Sequence, residues 1–177
     1  MCGIVGYLGF QDPKKMIIEG LKKLEYRGYD SAGVAILNDG KTKRIRAEGK
    51  LKALEDKLVS EKFNGHLGIG HTRWATHGAP NEKNAHPHLV GEISLVHNGI
   101  IENYLEIKKD LLARGADIKS DTDSELVAHL INEEIQKTQN LLLAVQKTLG
   151  KLIGAFSIVV IWEKSPDEMI AFKDGPP

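Results

Sequence analysis

Apolar residues along the 177-residue chain alternate between a period of two and a period near 3.6, and each switch marks an element boundary. Ile4, Val5, Tyr7 and Leu8 read as a strand directly behind the terminus. Asp12-Pro13 then supplies an N-cap and a proline suited to a first helical turn. Met16, Ile17, Gly20, Leu21 and Leu24 follow at helical spacing, which predicts an amphipathic helix over 13–26. Arg27 to Ser31 is turn chemistry. Ala32 to Leu37 and Lys43 to Glu48 read as two strands of a hairpin closed by Asn38-Asp39-Gly40. A short helix over 50–59 turns Leu51, Leu54 and Leu58 inward, and a strand lies near 66–72. Residues 73–91 show no period, and compact domains keep so long an irregular stretch mainly where it is functional.

Strand character resumes at Ile93–Val96 and runs into His97-Asn98-Gly99. Tyr104, Ile107, Leu111 and Leu112 predict a helix over 103–113. Thr122 and Glu125 have the spacing of a capping box, ahead of a helix with Leu126, Val127, Leu130 and Ile131 on one face. A further helix is expected over 140–149. Ala155–Trp162 is a continuous apolar run that suits a strand buried on both faces, and Met169–Phe172 a last short strand. Strands at both ends with helices between predict an α+β fold in layers.

Composition narrows the class without naming a function. Lys plus Arg and Asp plus Glu both number 24, so there is no basic excess of the kind that a nucleic-acid or acidic-membrane partner usually leaves. One cysteine cannot form an internal disulfide, which fits a reducing compartment. No signal peptide or spanning apolar run is apparent, so the expectation is a cytoplasmic, single-domain protein with neither nucleic-acid nor membrane partner.

The single cysteine stands at position 2. Removal of Met1 would leave Cys2 with a thiol and a free α-amine, a nucleophile and a base in one residue. The other meaning of such a position is a frayed end. Six of the seven histidines fall between His66 and His97, yet no His-Glu-x-x-His or paired-cysteine spacing accompanies them, so structural histidines are favoured over a metal site. Arg73, leaving a predicted strand, could clamp a carboxylate with two parallel hydrogen bonds or could form a surface ion pair. The Asn98 amide and the Gly99 N–H could together make an oxyanion hole, although Asn-Gly is also a common turn. Asp123, in the first turn of a predicted helix, could hold an ammonium or only stabilise that helix. A thiol, an oxyanion hole, an arginine and an aspartate together suit acyl transfer on an α-amino acid. L-Glutamine fits, since its amide can be attacked while its zwitterionic end is held.

Four segments carry a family resemblance: Cys2–Gly6, Tyr26–Gly33, His71–Gly78 and His97–Asn103. In this order they resemble the class II glutamine amidotransferases. The form of Tyr26–Gly33 points to the branch that makes an amino sugar from fructose 6-phosphate, rather than the branch acting on phosphoribosyl pyrophosphate. The resemblance implies an N-terminal-nucleophile hydrolase fold, a four-layer αββα sandwich with two antiparallel sheets. It implies Cys2 as nucleophile passing through a γ-glutamyl thioester, with Asn98 and Gly99 as the oxyanion hole. Arg73 is implied for the substrate carboxylate and Asp123 for its amine. Trp74, Thr76 and His77 would lie on the loop over glutamine, and Arg27 close to the nucleophile. No metal and no organic cofactor are implied.

In this family branch the glutaminase is followed by a sugar-phosphate isomerase region, and the intact enzyme is expected to be a homo-oligomer. Nothing resembling that region occurs before Pro177, so residues 1–177 are expected to be an isolated glutaminase domain that hydrolyses glutamine without touching fructose 6-phosphate. The competing expectations are a glutaminase serving another class II amidotransferase, or a non-catalytic domain that binds glutamine or a metal.

Overall fold

Strand pairing sorts the described residues into two four-stranded antiparallel sheets. The computed structural model describes residues 2–24, 29–74 and 78–175. The first sheet contains β1 (Gly3–Leu8), β2 (Ser31–Asn38), β3 (Lys41–Glu48) and β4 (Leu67–Arg73), in the order β1-β4-β2-β3. The second contains β5 (His88–Val90), β6 (Ile93–Ile101), β7 (Gly154–Trp162) and β8 (Met169–Asp174), in sequence order. Helices α1 (Pro13–Leu24) and α2 (Leu51–Leu58) cover the first sheet. Helices α3 (Tyr104–Ala113), α4 (Asp123–Thr138) and α5 (Leu141–Leu149) cover the second.

Among the described residues three apolar clusters define the layers. One lies between α1, α2 and the first sheet, another between the second sheet and α3–α5, and the third between the sheets. The outcome is the αββα sandwich. Strand β7 shows how alternation builds it: Phe156, Ile158, Val160 and Trp162 face the helices, while Val159 and Ile161 face the first sheet. Ala35, Leu37, Leu67, Ile69 and Val96 are the other buried members of the inter-sheet cluster. Each fully buried aliphatic side chain contributes roughly 1.5–3 kcal/mol by area.

Local chemistry sets the boundaries. Asp12 Oδ1 accepts the N–H of Lys14 at 2.9 Å and starts α1, and Asn140 Oδ1 accepts that of Leu143 at 2.8 Å to start α5. Asp39 and Gly40 carry φ of 50° and 78°, the left-handed pair that a tight hairpin requires. At α4 only half of the expected capping box forms: Thr122 accepts the Glu125 N–H at 3.4 Å. The Glu125 carboxylate turns instead to the N–H groups of Lys119 and Ser120 in the preceding loop.

The structure adds to the sequence reading in two places. The irregular stretch contains β5, too short for its period to register. Strand β6 runs unbroken through Asn98-Gly99 to Ile101, so that dipeptide is no turn. Gly99 has φ of 125°, and a Cβ there would sit 2.1 Å from the Ala155 carbonyl oxygen of β7, so the partner backbone admits glycine alone. On α3, Ile107 and Leu111 are buried and Leu112 is exposed. Among the described residues no helix is long and apolar enough to cross a membrane.

Ile69 lies at 0% exposure between the sheets. Ile69→Ala should therefore cost about 2–5 kcal/mol of unfolding free energy, whereas Leu105→Ala, at a 66% exposed position, should change it by less than about 0.5 kcal/mol. Urea unfolding of both variants checks this, and a comparable loss from the two would refute the layer assignment.

Candidate active site

The period of two that buries the inter-sheet core also assembles the polar site at its end. Ile69 of β4 faces the core, so His71 and Arg73 share its face. Val96 of β6 faces the same core, which sends Asn98 the same way, and Ile4 of β1 does likewise for Cys2. Where the apolar rungs stop, the chemistry begins.

Register fixes the nucleophile. Gly3 pairs with Thr72 across β1 and β4, and its N–H donates to Thr72 Oγ1 at 3.1 Å. Cys2 is thereby held against the next turn of chain, where its Sγ accepts the Trp74 N–H at 3.1 Å. Its carbonyl accepts the Asn98 Nδ2–H at 3.2 Å. Burial pushes the Cys2 thiol up from its ordinary value, more than the Trp74 N–H and the Arg73 charge pull it down. The thiol is therefore mostly protonated at neutral pH and needs a base to react. An open cavity of about 500 Å³ adjoins it, lined by Cys2, Ile4, Asn98, Ser157, Phe172 and Lys173.

Arg73 is 4% exposed, so it is no surface ion pair. Its guanidinium donates to the carbonyls of Gly78 and Ala79, each at 3.3 Å, and stands 3.9 Å from Asp30. The loop it grips is tied down elsewhere. Asn84, fully buried, donates from Nδ2 to the Ala79 carbonyl at 3.1 Å and accepts the Asp121 N–H at 2.9 Å. The Trp74 indole is exposed, and this residue meets Cys2 through its backbone alone.

Asp123 belongs to the helix-facing side of β6. It is 4% exposed, and its Oδ2 accepts the Ile101 N–H at 2.9 Å. His97, on the same side, has Nδ1 at 2.8 Å from Ser124 Oγ and 3.8 Å from Asp123 Oδ1. The structure thus gathers Cys2, Asn98 and the Trp74 backbone, with Arg73 next to them, and puts Asp123 at the N-terminus of α4. Arg27, Thr76 and His77 lie outside the described residues. Sequence reasoning passed over Asn84, Ser124 and Asp30, since single Asn, Ser and Asp residues carry no spacing signal.

The histidines form a buried cluster. His71, His86 and His88 are at most 4% exposed; the rings of His71 and His86 stack 4.2 Å apart, and that of His88 meets His86 edge-on at 4.7 Å. Gly33 makes room for this layer, because a Cβ there would sit 2.2 Å from the His86 carbonyl oxygen. Burial lowers all three pKa values, that of His71 to about 3 despite its hydrogen bond with Asn98. Among the described residues no three His, Cys, Asp or Glu side chains come together as a metal site.

Comparison with known proteins gives this geometry its family. A family model for the glutamine amidotransferase domain matches residues 71–175, and the chain belongs to that family, in its class II, N-terminal-nucleophile form. It closely matches the amidotransferase domain of glutamine–fructose-6-phosphate aminotransferase (isomerizing). The Legionella pneumophila (strain Lens) protein of that name is 50% identical over 179 residues, covering 100% of this chain and 30% of the relative. The Acinetobacter baylyi one is 51% identical, covering 100% and 29%. The chain thus spans about 30% of the length of the relatives it matches. Among solved structures, the glutamine phosphoribosylpyrophosphate amidotransferase of B. subtilis superposes with a TM-score of 0.83 at 25% identity, over 98% of this chain and 37% of that one. A class-II domain protein from Silicibacter pomeroyi shares the fold alone, with a TM-score of 0.57 at 16% identity, over 82% of this chain and 69% of that one.

The neutral histidines carry a stability prediction. Unfolded, each titrates near 6.5; folded, His71 does so at about 3. Unfolding below pH 6.5 therefore takes up protons, and stability is full above that pH and falls as pH drops toward 3. His71 alone should remove roughly 2 kcal/mol between pH 7 and pH 5, with His86 and His88 acting in the same direction. Guanidinium unfolding at the two pH values reads this directly. Equal stability at both would mean the rings are not held neutral.

Proposed function

We propose that this domain hydrolyses L-glutamine to glutamate and ammonia with Cys2 as nucleophile. The observation that carries the reading is the pinning of position 2: Sγ against the Trp74 N–H and the carbonyl against the Asn98 amide. A frayed end would make neither contact. Met1 must be removed for the α-amine of Cys2 to act as base.

In the first step the amine takes the Sγ proton while Sγ bonds to the glutamine amide carbon. The negative charge that develops on the amide oxygen is met by the Asn98 Nδ2–H and the Gly99 N–H, donors set in advance by strand β6. The intermediate collapses with cleavage of the C–N bond, and the amine returns its proton to the departing ammonia. Water then attacks the γ-glutamyl thioester, giving one proton to the amine, and Sγ leaves to recover it.

Arg73 is assigned to the α-carboxylate. Its near-complete burial supports this, since a guanidinium held out of water bonds an anion more strongly than an exposed one. Asp123 is assigned to the α-ammonium by family resemblance; its carboxylate is buried at the N-terminus of α4. Trp74, Thr76, His77 and Arg27 are assigned to the lining of the substrate pocket by family resemblance. No metal or organic cofactor enters this scheme.

The similarity to glutamine–fructose-6-phosphate aminotransferases, at about 50% identity, favours fructose 6-phosphate over phosphoribosyl pyrophosphate as the eventual ammonia acceptor. That amination belongs to the further length that the relatives possess, in an intact enzyme we infer to be a homo-oligomer. Residues 1–177 would form the glutaminase domain, and the single free cysteine supports a reducing, cytoplasmic setting.

Glutamate release by the Met1-free chain should be abolished by Cys2→Ala. Arg73→Ala should raise KM for glutamine about 10- to 100-fold, the loss expected for charge-assisted hydrogen bonds. Steady-state assay of glutamate and ammonia checks both. Turnover that survives Cys2→Ala, or an unchanged KM in Arg73→Ala, would sink the corresponding assignment.

A further inference from the structure

An oxyanion hole built on a side-chain amide has a weakness that one built on backbone N–H groups lacks. The Asn98 amide can rotate by half a turn about χ2, which would present its oxygen where its nitrogen should be. An acceptor facing the developing oxyanion would oppose catalysis instead of assisting it. The hydrogen bonds around Asn98 show what prevents this.

Asn98 Nδ2 lies 3.2 Å from the Cys2 carbonyl oxygen, and Asn98 Oδ1 lies 2.8 Å from His71 Nε2. A carbonyl oxygen can only accept, so the group facing Cys2 must be the amide nitrogen. It follows that Oδ1 faces His71, and that His71 Nε2 carries the proton it donates. Because Nδ2 has two hydrogens and the Cys2 carbonyl takes one, the second remains for substrate. Rotation of the amide would set Oδ1 against the Cys2 carbonyl and, while the proton stays on His71 Nε2, Nδ2–H against Nε2–H, two repulsive contacts at once.

The His71 ring is held as firmly as the amide it orients. It is fully buried, stacked on His86 at an interplanar angle of 20°. His86 is fixed in turn: its Nδ1 accepts the His97 N–H at 3.2 Å, which sets its own proton on Nε2, 3.3 Å from Ser124 Oγ. A backbone N–H of β6 thus determines the tautomer of His86.

We propose that His71 is a positioning residue of the glutaminase reaction, its Nε2–H locking the Asn98 side chain in the orientation that offers a hydrogen to the oxyanion. Burial keeps His71 neutral, and the ring touches neither Cys2 nor substrate in this role; it acts through Asn98. The proposal rests on the glutaminase reading above and adds a residue that reading does not use.

The test compares His71→Leu, His71→Gln, Asn98→Ala and the double variant His71→Leu/Asn98→Ala in the Met1-free chain. Glutamine turnover, circular dichroism and Cys2 alkylation by iodoacetamide are read for each. Leu fills the ring's volume without a donor, while the Gln amide nitrogen reaches the position of Nε2. His71→Leu should lower kcat about 10- to 100-fold with KM within about threefold of wild type, short of the roughly 100- to 1,000-fold cost of deleting a donor outright. His71→Gln should recover most of the rate. In the Asn98→Ala background, His71→Leu should produce no further loss, since there is then no amide to orient.

An unchanged kcat in His71→Leu, a Gln variant as slow as the Leu variant, or equal losses in both backgrounds would overturn the proposal. Should His71→Leu fail to fold, His71→Asn replaces it, because its amide falls short of Asn98 Oδ1; equal rates for the Asn and Gln variants would then refute the role. Wild-type chain that alkylates at Cys2 yet never hydrolyses glutamine would refute the glutaminase reading itself, a result distinct from any of these.

Discussion

Everything in this site depends on the register between β1 and β4. Gly3 opposite Thr72 sets the chain's second residue beside its seventy-fourth, and no local property of either segment would do so. Termini ordinarily fray because they have few contacts to offset the entropy of ordering. Here the terminal strand joins the first sheet at its edge, with Ile4 packed on the inter-sheet core and Val5 on the helix side. Burial of those side chains anchors the thiol two residues away, so the position of the candidate nucleophile is a consequence of core packing.

The same two-residue period explains how apolar and polar functions share one crevice. Along β4 and β6 the inward positions pass from Ile69 and Val96 to His71, Arg73 and Asn98 without a change of backbone direction. The apolar end holds the sheets together and the polar end faces a cavity. Such a site is preorganised, because its groups sit on paired strands whose hydrogen bonds are already made. The cost appears in the buried histidines. Burial keeps His71, His86 and His88 neutral, which makes them dependable hydrogen-bonding groups at neutral pH and a liability in acid.

Much of this was legible in the sequence, and what was not has physical causes. The long periodic elements were clear: Leu51, Leu54 and Leu58 on α2, the unbroken run in β7, and the Asp12-Pro13 start of α1. Strand β5 was not, since three residues carry no usable period. Asn98-Gly99 resembled a turn because the dipeptide favours left-handed backbone, and indeed Gly99 has positive φ, but inside a strand whose partner excludes any Cβ. Half of the capping box at α4 was diverted, since Glu125 found N–H donors in the preceding loop that no helix-local rule anticipates. The candidate nucleophile, oxyanion donors and arginine could be read from residue type, yet their meeting could not. Contacts between positions 2, 71, 74 and 98 are set by strand register, and local pattern is blind to register.

The most direct test of Cys2 as a glutamine-directed nucleophile is the intact mass of the Met1-free chain after exposure to a glutamine analogue bearing a chloroketone in place of the amide. A single adduct that maps to Cys2, and that excess glutamine suppresses, is the predicted result. An adduct on any other residue, or none while iodoacetamide still labels Cys2, would contradict the account, for the thiol would then be reactive without a glutamine pocket around it.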